Sequence, residues 1–173
     1  MANETVARLA RTDALTGLAN RRRLHEALQR ELARAERTDQ PLSTILADLD
    51  HFKSINDQYG HIIGDHVLVH AAAVFGSQSR PYDLAARYGG EEFMLLLPGT
   101  STEDALAIAE RIRKDVSEIE VPGCPQGITI SLGVACWREG ETPEQFVARA
   151  DGALYRAKNA GRNRVAAAVG AVA

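Results

Sequence analysis

Arg87-Tyr88-Gly89-Gly90-Glu91-Glu92-Phe93 is the stretch whose reading decides the fold of this 173-residue chain. Leu84, Ala85 and Ala86 precede it, and the apolar run from Phe93 to Leu97 follows. Two strand-like runs separated by a glycine pair read as a β-hairpin with a tight turn, both glycines being able to take the positive φ that such turns need. A strand as apolar as 93–97 is expected to be covered on both faces. Two carboxylates therefore stand at the mouth of a buried strand. Ionised groups there carry a desolvation cost unless something positive compensates them, and a divalent cation would do so.

Working outward, Leu42 to Leu49 reads as a strand ending in Asp48-Leu49-Asp50. A short helix from His51 to Tyr59 follows, with Asp50 available as its cap, and Gly60-His61 separates it from a helix over 62–75. On the N-terminal side, Leu24, Leu28, Leu32 and Ala35 fall on one stripe of a helix over 21–37, with Asn20 as its N-cap. Beyond the hairpin, Thr102 is placed to cap a helix to Ile119. Ile128 to Cys136 alternates like a strand, and Thr142-Pro143 opens a helix to Asn159. Gly161 stops that helix, and 164–168 is a last strand. The order β-α-α-β-β-α-β-α-β predicts an α+β fold: a mainly antiparallel five-stranded sheet flanked by helices. Residues 1–11 read as the end of a helix from an upstream domain, and 170–173 as a tail.

Composition sets the outer limits. The length supports one domain with a real core. With 45% hydrophobic and 25% charged residues, the balance is that of a globular protein. A net charge of -3 excludes a general attraction to nucleic acid or anionic lipid. No apolar run reaches the length of a membrane span, and no secretory signal opens the chain. Cys124 and Cys136 fit neither a CxxC pair nor a disulfide framework, so a reduced, cytoplasmic location is expected.

Four constellations carry candidate chemistry. Asp48 and Asp50 end the first strand while Glu91 and Glu92 begin the hairpin's second. If the two strands are neighbours, these carboxylates meet at one end of the sheet and suit Mg²⁺. The residues alone leave open the alternative of a helix cap and solvated turn acids. Phe52-Lys53 begins a helix, where backbone N–H groups beside a lysine can hold phosphate. Asn56, His61 and Asp65 include an amide and a carboxylate, and a carboxylate is the natural acceptor for the N1–H and N2–H₂ edge of guanine. Helix-surface roles for the same residues remain open. Lys158, Arg162 and Arg164 form a basic end, either a phosphate clamp or an ordinary cationic helix C-terminus.

Taken together these patterns resemble the GGDEF family of diguanylate cyclases, over almost the whole chain. Asp13-Ala14-Leu15-Thr16-Gly17-Leu18-Ala19-Asn20-Arg21-Arg22 is similar to the family's D-x-LTGLxNRR opening. Asp48-Leu49-Asp50-His51-Phe52-Lys53, Asn56-Asp57 and Gly60-His61-x-x-Gly64-Asp65 resemble its metal and guanine segment. Gly89-Gly90-Glu91-Glu92-Phe93 is the GGEEF form of the name motif. Ser131-Leu132-Gly133-Val134-Ala135 and the 150–163 segment, from Ala150-Asp151 to Gly161-Arg162-Asn163, match its C-terminal signatures. The departures are small: Leu49 stands for a more usual Ile, and His51 precedes Phe52.

The resemblance implies a nucleotide-cyclase and polymerase-palm-like catalytic domain over 12–169. It implies that two GTP molecules are joined into cyclic di-GMP with release of two pyrophosphates. Asp48, the Leu49 carbonyl, Glu91 and Glu92 would hold Mg²⁺ or Mn²⁺, and Glu91 is the candidate base for the ribose 3′-hydroxyl. Asn56 and Asp65 would bind guanine, with His61 near the ribose or base. Phe52 and Lys53 would hold phosphates, helped by Lys158 and Arg162. One domain binds one GTP, so a homodimer is expected, driven by an upstream sensory domain. Arg80-Pro81-Tyr82-Asp83 has the family's RxxD spacing for a product-inhibition site, with Arg111 as a possible second clamp. Arg80→Ala is then expected to weaken inhibition with initial velocity nearly intact. A receptor that binds GTP or cyclic di-GMP without turnover is the alternative. A mixed-purine product is disfavoured by Asp65, which pairs poorly with the adenine edge.

Overall fold

The computed structural model describes residues 11–170. The expected helix over 1–11 thus falls, except for Arg11, outside the described residues, as does most of the tail. The elements are α1 (Arg21–Thr38), β1 (Leu42–Leu49), α2 (Phe52–Tyr59), α3 (His61–Gln78), β2 (Leu84–Arg87) and β3 (Glu92–Pro98). They continue with α4 (Thr102–Ser117), β4 (Ile130–Cys136), α5 (Pro143–Asn159) and β5 (Val165–Ala167). The sheet runs in the order β2-β3-β1-β4-β5. Its first three pairings are antiparallel and only β4–β5 is parallel. The expected mainly antiparallel α+β architecture is the one found, with mixed pairing at one edge.

β1 lies at the centre, and all eight of its residues are buried. Side chains alternate across a strand, so its two faces feed two cores. Ile45, Ala47 and Leu49 pack with Phe93, Leu95 and Leu97 against α2, α3 and α4. Leu42 and Leu46 pack with Met94 and Leu96 against α1 and α5. This explains why 93–97 is apolar at every position rather than at every second one. Phe75 of α3 stacks on Phe93 with ring centroids 5.0 Å apart. Such a pair is worth about 1 kcal/mol beyond its buried area.

Local chemistry sets the helix ends. Asn20 accepts from the Arg23 N–H at the start of α1. Thr142 and Gln145 form a reciprocal capping box ahead of α5, with Pro143 in its first turn. At α4 the cap is Ser101 rather than the expected Thr102. Its Oγ accepts from the Asp104 N–H at 3.1 Å, which puts Thr102 inside the first turn.

Two glycine positions govern how the site end is built. In the hairpin, neither Gly89 nor Gly90 takes a positive φ, against expectation. The N–H groups of Tyr88 and Gly89 both reach the Glu92 carbonyl, at 2.8 and 3.3 Å, so the turn is wider than a two-residue one. A Cβ at Gly89 would stand 2.6 Å from Glu92 Oε2, so a side chain there would turn the Glu92 carboxylate aside. In β4, a Cβ on Gly133 would overlap the Ala150 carbonyl and the Leu154 nitrogen. The missing side chain lets α5 lie directly on the strand, which fixes where the C-terminal end of α5 arrives.

Candidate active site at the end of the central strands

The antiparallel register of β1 and β3 sets Asp48 opposite Glu92, and the Leu49 N–H donates to the Glu91 carbonyl at 3.2 Å. The expected meeting of Asp48, Glu91 and Glu92 at one end of the sheet is therefore present. Asp48 is buried, with 7% exposure, while both glutamates are half-buried. From the end of α5, Lys158 Nζ comes to 2.9 Å from Asp48 Oδ2.

The electrostatics follow from crowding like charges under partial burial. Burial raises the pKa of Asp48, opposed by Lys158 and reinforced by Asp50. Burial also raises Glu91, with repulsion from Asp48 next in size. Glu92 is raised by burial, then by Asp48 and Asp151. A cluster whose ionised form is disfavoured in this way attracts cations. Among the described residues, no three His, Cys, Asp or Glu side chains already converge at metal-holding distances. The donor chemistry nonetheless fits a hard divalent ion, since every side-chain group is a carboxylate, and Lys158 offsets only part of their charge.

Asp50 does not cap α2. Its Oδ1 accepts from Ser131 Oγ at 2.6 Å, and its Oδ2 accepts from Thr129 Oγ1 at 2.7 Å and from the Asn163 N–H at 3.0 Å. The cap position of α2 falls instead on His51, in the left-handed region at φ 55°, with no side-chain cap bond. The first turn of α2 thus presents N–H groups beside the exposed Lys53, as a phosphate site requires. The Phe52 side chain is buried in the core, so only its backbone can face a phosphate.

Asn56 sits where α2 and α3 meet. Its Oδ1 is buried with no hydrogen-bond partner and lies against the bare Cα of Gly64, one residue before Asp65. A buried unpaired acceptor is costly and is satisfied by a ligand N–H. His61 begins α3 and Asp65 follows one turn later, both exposed. Arg162 is exposed beyond α5, at φ 61°.

The RxxD pair is bonded to itself. Arg80 Nε donates to Asp83 Oδ2 at 2.9 Å and Nη2 to Oδ1 at 3.0 Å, and Nη2 also reaches Thr100 Oγ1 at 2.6 Å. The Asp83 side chain is wholly buried. Arg111 donates to Gln78 Oε1 at 3.1 Å, close in sequence to Arg80.

Sequence reasoning missed the supports around the turn. Arg87 donates to the Gly90 carbonyl through Nη2 at 2.7 Å and pairs with Asp13 at 3.3 Å. Ala19, in what reads as a plain connector, exchanges backbone bonds with Ala85 and Arg87 and covers the β2 edge. Arg21 stacks on the Tyr88 ring at 4.7 Å. A cavity of about 820 Å³ opens between the first turns of α1 and α5, over Met94 and Tyr88. It lies on the sheet face away from α2 and contains neither Asp48 nor Asn56, so chemistry rather than volume marks the site.

Residues 10–164 match the family described as "Diguanylate cyclase, GGDEF domain". The chain is 45% identical over 165 residues to diguanylate cyclase DgcM of Escherichia coli, covering 95% of this chain and 40% of that protein. It is 47% identical over 167 residues to the response regulator PleD of Caulobacter vibrioides, covering 91% of this chain and 36% of that one. It thus spans less than half the length of these curated relatives. Among solved structures, the coiled coil and GGDEF domain of DgcB from Caulobacter crescentus, in complex with c-di-GMP, superposes with a TM-score of 0.91 at 39% identity. That match covers 96% of this chain and 90% of the other. Among the described residues, no helix is long and apolar enough to cross a membrane.

Proposed function

The chain belongs to the GGDEF family, and on that premise we propose that it condenses two GTP molecules into cyclic di-GMP with release of two pyrophosphates. The observation that carries this reading is the register of β1 and β3, which puts Asp48, Glu91 and Glu92 together beside Lys158. In each half-reaction a ribose 3′-oxygen bonds to an α-phosphorus, the bond from that phosphorus to pyrophosphate breaks, and the 3′-hydroxyl proton leaves.

Asn56 and Asp65 read the guanine edge, with His61 beside the ribose or base. The support is the buried Oδ1 of Asn56, which lacks a donor. The N–H groups of Phe52 and Lys53, together with Lys158 and Arg162, hold the phosphates. Glu91 is the candidate base for the 3′-hydroxyl; because the same carboxylate would also hold the metal, it would act chiefly by placing that ion. Asp48, the Leu49 carbonyl, Glu91 and Glu92 would hold Mg²⁺ or Mn²⁺, which would supply charge neutralisation at the leaving pyrophosphate and a lowered pKa at the 3′-hydroxyl. One domain carries one GTP, so the catalytic unit is a homodimer.

Cyclic di-GMP acts as inhibitor at Arg80, Asp83 and Arg111. Arg80 spends Nε and Nη2 on Asp83 and Thr100 and lies over the Tyr82 ring at 4.7 Å, so its guanidinium is held in place yet stays 40% exposed to a product phosphate.

The test is product formation from GTP and Mg²⁺, identified by mass after removal of co-purified nucleotide, over a range of protein concentrations. A rate that rises more steeply than linearly, and vanishes in Glu91→Gln, supports a dimeric cyclase. GTP binding without product at any concentration moves the domain to the receptor reading.

A further inference from the structure

The Asp50 carboxylate joins three separate parts of the chain at the edge of the site. It accepts from Thr129 Oγ1 and Ser131 Oγ at the start of β4 and from the Asn163 N–H beyond α5. Its own N–H donates to the Thr129 carbonyl at 2.9 Å. Asp50 is buried at 4% exposure, and both oxygens are engaged within the protein. It therefore differs in kind from Asp48, two residues earlier, which faces the cluster and Lys158.

The segment it holds is conformationally demanding. Arg162 and Asn163 are consecutive non-glycine residues in the left-handed region, at φ 61° and 46°. Such residues are uncommon, an arginine especially, and persist only where surrounding contacts determine them. Here the contacts are the Asn163 N–H on Asp50 and, from α4, Arg113 Nη1 on Asn163 Oδ1 at 2.9 Å. The Arg162 N–H reaches back to the Ala157 carbonyl at 3.1 Å. Two anchors thus fix the backbone from which the Arg162 side chain projects, four residues after Lys158.

We propose that Asp50 is a positioning residue for the phosphate-binding arm: by holding the Asn163 N–H it fixes the left-handed turn that aims Arg162 at the nucleotide phosphates. This rests on the GTP-binding reading above. Asp50 acts through Arg162 and touches no reacting atom. Asparagine at position 50 could keep the Asn163 bond by setting its oxygen toward Thr129 and Asn163 and its amide toward the Ser131 hydroxyl, whereas alanine removes the acceptor altogether.

The test is a double-mutant cycle read by calorimetric binding of GTP and of guanosine, with KM and kcat beside it. Asp50→Ala is expected to weaken GTP about tenfold, in the range typical of groups that orient a ligand-contacting residue. Guanosine, which lacks phosphate, should bind unchanged. Arg162→Ala should do the same, and the double variant should be no worse than Arg162→Ala alone, because the two act as one unit. Thr129→Val removes a different donor to Asp50 and leaves the Asn163 bond. It should lower thermal stability while GTP affinity stays within twofold, so it separates a loss of fold from a loss of aim. Multiplicative losses in the double variant, or an equal loss of guanosine, overturn the proposal. So does a GTP loss in Thr129→Val matching that in Asp50→Ala. Should Asp50→Ala fail to fold, Arg113→Ala tests the second anchor by the same cycle and criteria. Wild-type protein that binds no GTP overturns the functional reading itself, a result distinct from any of these.

Discussion

Lys158 Nζ lies 2.9 Å from Asp48 Oδ2, and this pair joins the last turn of α5 to the central strand at its most charged end. Asp48 already has a raised pKa because burial outweighs the lysine. Lys158→Met would raise it further. At neutral pH the variant then carries an uncompensated buried carboxylate, which costs about 1–2 kcal/mol. As pH falls through the folded pKa of Asp48 the group protonates and that cost disappears. The difference in thermal unfolding between wild type and variant should therefore narrow in acid. A deficit that stays constant with pH would show that the lysine contributes by packing alone.

Glu92 gives the opposite sign. Its folded pKa is raised by burial, Asp48 and Asp151, so its ionised form subtracts stability above that pKa. Glu92→Gln should raise the unfolding temperature near neutral pH without divalent ions, by roughly 2 °C for a domain of this size. The gain should fade as the pH drops and wild type takes up its proton. Added Mg²⁺ should stabilise wild type more than the variant. Equal stabilisation of both by Mg²⁺ would remove Glu92 from the proposed cation site.

The sequence made the skeleton legible because local signals and burial agreed. The even apolarity of 93–97, the α1 stripe and the Thr142-Pro143 start each follow from one requirement, and each is found. The site was legible as residue types but not as geometry. Asp50 looks like a cap because it precedes a helix, yet its partners Thr129, Ser131 and Asn163 lie about 80 to 113 positions away and no local signal names them. The Arg87–Asp13 pair crosses 74 positions in the same way. The hairpin glycines suggested φ > 0, whereas neither takes it, and what a Cβ at Gly89 would crowd is the Glu92 carboxylate, a contact that exists only after the strands pair.

Arg80→Ala will not be a silent probe of product inhibition. The expectation of weakened inhibition with initial velocity nearly intact stands beside a separate cost in stability, because Asp83 is wholly buried and Arg80 supplies its salt bridge. Removing the arginine strands that carboxylate. Because Arg80 itself is 40% exposed, the loss should be about 2 kcal/mol, below the cost of breaking a fully buried pair. Chemical denaturation of wild type, Arg80→Ala and the double variant Arg80→Ala/Asp83→Asn checks this. The double variant should recover most of the stability. A single variant as stable as wild type would mean that water reaches Asp83 readily.

Gly133→Ala tests how α5 is seated. Its Cβ would meet backbone atoms of Ala150 and Leu154, which cannot swing aside as a side chain can. The helix must lift from β4, at about 3 kcal/mol for overpacking of this kind. Because Lys158 rides on the same helix, the Asp48 pair should loosen too. The unfolding midpoint should drop, and the separate effect of Lys158→Met should shrink in this background. Full additivity of the two substitutions would show that the lysine keeps its place without the close helix–strand approach.

Gly64→Ala is the sharpest probe of the proposed base recognition by Asn56. The added methyl would overlap Asn56 Oδ1, a movable side-chain atom, and it would stand 3.4 Å from Phe52 Cζ, an ordinary contact. Alanine is also the better helix former, by roughly 0.5–1 kcal/mol. The fold should hold or strengthen while Asn56 is pushed from its position. Losing one hydrogen bond to the base edge lowers affinity about tenfold. GTP binding should therefore weaken by that amount, with ATP binding, which never used the guanine edge, nearly unchanged. Calorimetry with both nucleotides decides it. A variant that is stable and still prefers GTP to ATP as wild type does would show that Asn56 does not read the base.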